Sequence, residues 1–358
     1  MQQIRLKLSG SSSDIVVGLG SYASIQDHLE KAGLTGSLLI VSQSRILDAI
    51  GVAGLPDTPV ETIPDGERAK SVRTVSRLID RMVARRLTRE SIVVAVGGGV
   101  VGDVAGFAAS IYLRGIRVVQ VPTTLLAQVD SAVGGKTGVN HSAGKNLIGT
   151  FHQPRLVIAD PLLLESLPQR EYSSGLYEAL KYGIIRDRKL FDEFERDRKA
   201  ILDVQPEALE NLVTRCLRSK VAVVAADERE GNIRRILNFG HTLGHAIETA
   251  AGYRRIRHGE AVGYGMIGAT RIARKLGRIS GRQADRIEAA VVSLGTLPRL
   301  GKINASAITE AMQHDKKIRA GNVHFVLPRR IGKVEINPNV PRPIVEEVLE
   351  EILGSAQE

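Results

Sequence analysis

The strongest constraint on the fold is an alternation that fills the first half of the chain. Short β-branched runs, SDIVVGLG, SLLIVSQS, SIVVAVGGG, IRVVQVPTT and RLVIADP, are separated by stretches with helical spacing such as SVRTVSRLIDRMVARRL. Strands that alternate with helices predict a parallel sheet, because parallel neighbours need a long crossover between them. From about Glu171 onward apolar residues recur every three or four positions, as in DVQPEALENLVTRCLRSKVAVVAADE and GYGMIGATRIARKLG, which predicts helices. NVHFVLP and KVEINP read as a small late hairpin. At 358 residues the chain exceeds what one ordinary core serves. We therefore expect an α/β domain over 1–168 and a mainly helical one over 169–358, divided at Pro168 before a helix that begins about Ser173.

Charge narrows the function. Lys and Arg number 49 against 39 acids, a net +10, which attracts polyanions or phosphorylated metabolites. Aromatics are only 4%, Trp is absent and the basic residues are spread out, so the stacking platforms of single-strand binders are missing and a small anionic ligand is the better reading. No apolar run reaches the roughly 18 residues a spanning helix needs, and MQQIRLKLSG lacks the apolar centre of a secretory signal, so a cytoplasmic protein is expected. The lone cysteine, Cys216, has helical spacing in NLVTRCLRSK and reads as a buried structural thiol.

Gly97 to Gly102 read G-G-G-V-V-G between a strand and a helix, the pattern that brings backbone amides to a pyrophosphate in a Rossmann-like domain. Such turns also arise for packing alone. Asp130 is the first acid after Asp103, too distant to be the usual ribose carboxylate. Asp65, Glu67 and Lys70 in PDGERAK, and Thr123 and Thr124 at a strand's carboxyl end, offer further polar contacts. SAVGGKTGVNHSAGKNLIG sets Lys136, Lys145 and Asn146 among glycines and reads as an anion cradle in a loop.

NFGHTLGHAIE places His241 and His245 one turn apart on a helix face, and RHGEAVGYGM adds His258. Two histidines and a carboxylate would leave a zinc position open, and Glu178 in GLYEALKYG, with Lys181 one turn on, is the candidate acid; the spacing leaves the third ligand open. His-x3-His without the HExxH glutamate argues against a zincin protease.

These segments together, GGGVVGDVAGF, VPTTLLAQVDSAVGGKTGVN, GKNLIGTFHQP, NFGHTLGHA and HGEAV, closely resemble 3-dehydroquinate synthases among the sugar-phosphate cyclases, from PDGERAK to HDKK at 314–317. The resemblance implies NAD held by Asp65, Gly66, Glu67, Arg68, Ala69, Lys70, Gly99, Val100, Val101, Gly102, Asp103, Thr123, Thr124, Lys145 and the stretch Leu163, Leu164, Glu165 and Ser166, with Lys136 at both cofactor and substrate. It implies one divalent metal, zinc or alternatively cobalt, on Glu178, His241 and His258. Substrate contacts fall on Arg114, Asp130, Lys136, Asn146, Lys181, Lys220, Arg234, Asn238 and Lys317, and proton transfer on Glu230 and His245. It further implies a sugar-phosphate substrate, no nucleic acid or membrane partner, and a homodimer.

A substrate with a carboxylate and a phosphate needs several cations, and Arg114 offers a carboxylate two parallel hydrogen bonds. Arg114 and the Lys136–Asn146 segment argue against a cyclase such as 2-deoxy-scyllo-inosose synthase, whose carboxylate-free substrate would leave cations unpaired. A polyol dehydrogenase would instead accumulate NADH. Gln43 and Arg45 stand where relatives commonly carry an Asp or Asn pair, which leaves NAD against NADP open, and Tyr177 stands where many relatives have a small residue.

Overall fold

The structure is a computed structural model that describes the chain except residues 53, 253–254, 302, 315–322 and 356–358. Its strands are β1 (Gln2–Lys7), β2 (Ser12–Val17), β3 (Leu38–Ser42), β4 (Val60–Thr62), β5 (Ile92–Gly97), β6 (Arg117–Pro122), β7 (Lys136–His141), β8 (Gly144–Phe151), β9 (Leu156–Ala159), β10 (Phe325–Arg330) and β11 (Lys333–Asn337). The five β-branched runs become β2, β3, β5, β6 and β9 of one seven-stranded sheet in the order β1-β2-β9-β6-β5-β3-β4. Only β1 and β2 pair antiparallel; the other neighbours are parallel. β5 is buried along its whole length, and its alternate residues feed two cores. Val93 and Ala95 join Leu39, Val41, Val104 and Val118 on one side, whereas Ile92, Val94 and Val96 join Ile40, Val119 and Ile158 on the other. That is the period of two expected of a strand covered on both faces.

The segment read as a cationic loop is the β7–β8 hairpin instead. The periodicity hid it because its glycines are there for backbone approach: a Cβ on Gly138 would lie 2.5 Å from the Ile148 carbonyl oxygen, and one on Gly149 2.2 Å from that of Thr137. Two further strands escaped the sequence reading, the edge strands β1 and β4. The late hairpin is β10–β11.

By its contacts the chain divides into one unit of Met1–Pro168 with Val204–Arg229 and another of Gln169–Asp203 with Glu230–Glu358. The helix Pro206–Ala226, which the sequence reading grouped with 169–358, packs on β1 and on the turn Ala127–Ser131 of the first unit. The second unit is largely helical, built on Gln169–Ile185, His241–Ala250 and His258–Lys275. The first of these starts at Gln169, four residues before the expected Ser173. Among the described residues no helix is long and apolar enough to cross a membrane.

Candidate active site

In the second unit, glycines determine which side chains meet. A Cβ on Gly265 would lie 1.8 Å from the Gly240 carbonyl oxygen, and one on Gly244 would lie 2.9 Å from that of Ala261, so helices His241–Ala250 and His258–Lys275 touch backbone to backbone. Gly259 does the same against Ser174 of Gln169–Ile185, at 1.9 Å. Gly240 itself has φ 79°, a left-handed conformation that opens the helix of His241. Three helix backbones so close bring His241, His245 and His258 to ring separations of 5.3–5.6 Å.

Glu178 Oε1 lies 3.2 Å from His241 Nε2 and 3.5 Å from His258 Nε2. Ligand atoms about 2.1 Å from a tetrahedral ion sit about 3.4 Å apart, close to both of these distances, and a carboxylate with two imidazoles is a donor set that could hold a divalent metal. His241, His245 and His258 form a second group that could hold a metal, their ligand atoms all lying within 4.8 Å of one another. Both sets share His241 and His258. The other Glu178 oxygen pairs with Lys181, one turn along, and both side chains are 1% exposed. Burial works to raise the Glu178 carboxyl, but Lys181 and His241 outweigh it and hold it well below its usual range. Burial lowers His241 to about 4, which leaves a neutral ring with a lone pair to share. His258, despite burial, is raised to about 9 by contact with Glu178 and Glu248.

In the segment before His241, Asn238 Nδ2 donates to Glu230 Oε1 at 2.9 Å, and Glu230 has φ 60°. Arg234 is 2% exposed on the turn Ile233–Asn238. Tyr177 receives a structural account: its ring fills the space over Gly263 and its hydroxyl donates to the Gly295 carbonyl at 3.4 Å. Lys317 lies outside the described residues.

In the first unit, the glycine turn sits at the carboxyl end of β5 beside β3, where the sheet order reverses direction. Gly98 faces the Thr124 methyl, Gly99 the Ser131 hydroxyl and Gly102 the Gln120 amide, each too close for a Cβ to enter freely. The turn therefore has a packing reason as well, and the helix Gly99–Ile111 that follows carries no side-chain cap. Val101 is buried in the core and Val100 packs against it, so their side chains serve the sheet. Thr123 N–H donates to the Gly97 carbonyl, and Thr124 Oγ1 caps the next turn by accepting from Ala127 N–H at 3.2 Å.

Several predicted residues converge on one network. Lys70 Nζ donates to Asp103 Oδ2 at 2.6 Å and also to Asn146 Oδ1. Burial raises the Asp103 carboxyl against the pull of Lys70. Asn140, which the sequence reading left without a role, joins this network: its Oδ1 accepts from Asn146 N–H at 2.9 Å and its Nδ2 donates to Glu67 Oε1 at 2.8 Å. Lys220 Nζ donates to the Asp130 carboxylate at 2.8 Å and to its backbone carbonyl. Lys136 opens β7 and is exposed, Lys145 lies half-buried on β8, and Arg114, at φ 66°, is exposed. Gly66 has φ 74°, Arg68 Nε donates to the Asp65 carbonyl, and Ala69 is buried. Leu163 and Leu164 are buried while Glu165 and Ser166 are exposed. Gln43 is 3% exposed and donates to the Pro64 carbonyl at 2.9 Å, and Arg45 Nε lies 3.4 Å from Asp65 Oδ1.

Residues 60–174 match the family model described as 3-dehydroquinate synthase N-terminal, and residues 175–318 match the one described as 3-dehydroquinate synthase C-terminal. The chain belongs to the 3-dehydroquinate synthase family. It is thereby a lyase of the shikimate pathway. A 3-dehydroquinate synthase from Crocosphaera subtropica is 42% identical over 360 residues, 98% of each chain, and one from Koribacter versatilis is 50% identical over 307 residues, 86% of this chain and 83% of its own. Among solved structures, a 2-deoxy-scyllo-inosose synthase complexed with carbaglucose-6-phosphate, NAD+ and Co2+ superposes with a TM-score of 0.88 at 29% identity, over 98% of this chain and 100% of its own. A 2-epi-5-epi-valiolone synthase from Streptomyces hygroscopicus with NAD+ and Zn2+ bound gives 0.87 at 29% identity, over 98% and 99%. A probable glycerol dehydrogenase from Sinorhizobium meliloti, at 18% identity and a TM-score of 0.68 over 98% and 99%, shares the fold.

Proposed function

We propose that the chain converts 3-deoxy-D-arabino-heptulosonate 7-phosphate into 3-dehydroquinate and inorganic phosphate, using NAD and one divalent metal, zinc or alternatively cobalt. The observation that carries this reading is the buried Glu178 carboxylate facing the Nε2 nitrogens of His241 and His258. These three residues would hold the metal, and Asp65–Lys70, Gly99–Asp103, Thr123, Thr124, Lys136, Lys145 and Leu163–Ser166 would hold NAD. When bound, the nicotinamide supplies a hydride acceptor that later gives the hydride back, and the metal supplies a Lewis acid toward substrate hydroxyls. Substrate and products balance with no net oxidation, since one molecule loses phosphate and closes a carbocycle.

The chain's own residues orient and move protons. Arg114, Lys136, Asn146, Lys181, Lys220, Arg234, Asn238 and Lys317 would bind the double anion and its hydroxyls. Lys220 and Asp130 hold each other, so the cation and the acceptor are positioned before substrate arrives. Asn238 fixes the Glu230 carboxylate. Glu230 and the half-buried His245 would then exchange protons with the substrate as phosphate leaves and as the ring closes. The Asp65 carboxylate beside Arg45 offsets that cation, which supports NAD over NADP. Family resemblance supports a homodimer in the cytoplasm, which sedimentation would check.

The test mixes protein with the heptulosonate phosphate and substoichiometric NAD, and follows phosphate and reduced nicotinamide together. Phosphate should appear through many turnovers while NADH stays flat. Steady NADH growth, or equal activity on a hexose phosphate without a carboxylate, would overturn the assignment.

A further inference from the structure

We infer that Glu248 is a positioning residue that fixes the His258 imidazole so that its Nε2 nitrogen is the metal ligand. The inference rests on the proposed metal site but not on the choice of its third ligand, because His258 belongs to both candidate sets.

Glu248 lies on the helix His241–Ala250, three residues after His245 and seven after His241, so all three share one face. Its side chain is 8% exposed, and the proposed reaction assigns it no part. A carboxylate that is buried so far costs stability unless hydrogen bonds compensate it. One of its bonds is to His258: Oε2 lies 3.3 Å from His258 Nδ1.

Metal binding requires the neutral ring and displaces the extra proton that His258 otherwise holds, and a neutral imidazole has one N–H and one lone pair. An ionised carboxylate only accepts, so the Nδ1 facing Glu248 carries the hydrogen and the lone pair falls on Nε2. Nε2 is the nitrogen that faces Glu178. His241 is arranged the same way by a different partner, with Nδ1 3.1 Å from the Phe239 carbonyl and Nε2 toward Glu178. Two histidines thus present the same nitrogen to the same carboxylate. In His241 the orienting group is backbone, which no substitution removes, whereas in His258 it is a side chain. Carboxylates that orient metal-bound histidines in this way are worth about 10–100-fold in metal affinity.

The experiment titrates the metal-free full-length protein with Zn2+ and with Co2+ against a competing chelator, in the absence of NAD and substrate. Glu248→Ala should weaken binding about 10–100-fold, and Glu248→Gln, which keeps an acceptor but loses the charge, about 3–10-fold. The Co2+ absorption bands should shift in Glu248→Ala, which a role confined to the fold would not produce. If Glu248→Ala does not fold, the Glu248→Gln titration decides. Unaltered affinity in the variants that fold would overturn the inference. Failure of the unaltered protein to take up one equivalent of metal would instead overturn the metal reading on which it rests.

Discussion

Lys181 and Glu178 are each 1% exposed, and the ion pair between them lies beside His241 and His258. Removing one member of such a pair leaves the other charge buried, which typically costs about 3–5 kcal/mol. Lys181→Met should therefore destabilise the metal-free protein by that amount, and adding Glu178→Gln should recover part of the loss. Urea unfolding followed by tyrosine fluorescence, which has no Trp background here, reads both; a loss under about 1 kcal/mol in the single variant would refute the coupling. His152 shows the opposite balance. Burial pushes its pKa below 6.5, against the hydrogen bond from Nε2 to the Ile116 carbonyl, 2.8 Å away, while Arg155 lowers it further. Because the unfolded chain then takes up the proton first, this contribution is complete above about pH 6.5 and fades as the pH drops toward the depressed value. His152→Gln keeps a donor for Ile116 and removes the titration, so its melting temperature should decline less between pH 7 and pH 5 than that of the unaltered protein. Equal slopes would sink the argument.

At the level of elements, the glycines between helices His241–Ala250 and His258–Lys275 set the positions of three histidines without touching a ligand. Gly265→Ala would force a Cβ to within 1.8 Å of the Gly240 carbonyl, so the helices must part. We expect a loss of at least about 2 kcal/mol in stability and a weaker hold on Zn2+. Gly10→Ala, at an exposed position with nothing within 4 Å, should stay within about 0.5 kcal/mol and keep metal affinity. Matching behaviour of the two variants in calorimetry and chelator titration would rule the helix contact out as the cause. The same glycines explain what the sequence did and did not disclose. β5, with six buried residues flanked by turn signals, was legible because its side chains carry the signal. β7 and β8 were not, since their pairing depends on what Gly138 and Gly149 lack. β4 spans only Val60–Thr62, too short for a period to register. At the site, His241, His245 and Glu178 stood out by type and spacing, yet Glu248 and Asn140 did not, because a buried Glu looks like any helix surface acid and an Asn in a glycine-rich stretch looks like a turn. Only their partners, His258 in one case and Glu67 with Asn146 in the other, distinguish them.

For the molecule as a whole, neither unit is a single stretch of chain: Val204–Arg229 returns to the first after Gln169–Asp203 has entered the second. The returning helix buries Leu209, Leu212, Val213, Cys216, Leu217, Val223 and Val224, and its Arg218 donates to Gln2 of β1 at 3.0 Å. A polypeptide ending at Pro168 should therefore lack a cooperative thermal transition, whereas one ending at Arg229 should show it by far-ultraviolet circular dichroism. A cooperative melt from the shorter piece would mean that the sheet closes without its late helix.

The pairing of Lys220 with Asp130 spans 90 residues of chain. At about 5–20 residues per second a ribosome needs about 5–20 s to bring the lysine out after the aspartate. Through that interval the nascent sheet has β1 exposed along the face that Pro206–Ala226 will cover, while Gln169–Asp203 emerges with most of its own unit still unmade. A pause in synthesis after Pro168 would lengthen the time for which that apolar face is open to other chains, and slow codons placed there should raise the demand for chaperones more than the same codons placed after Arg229.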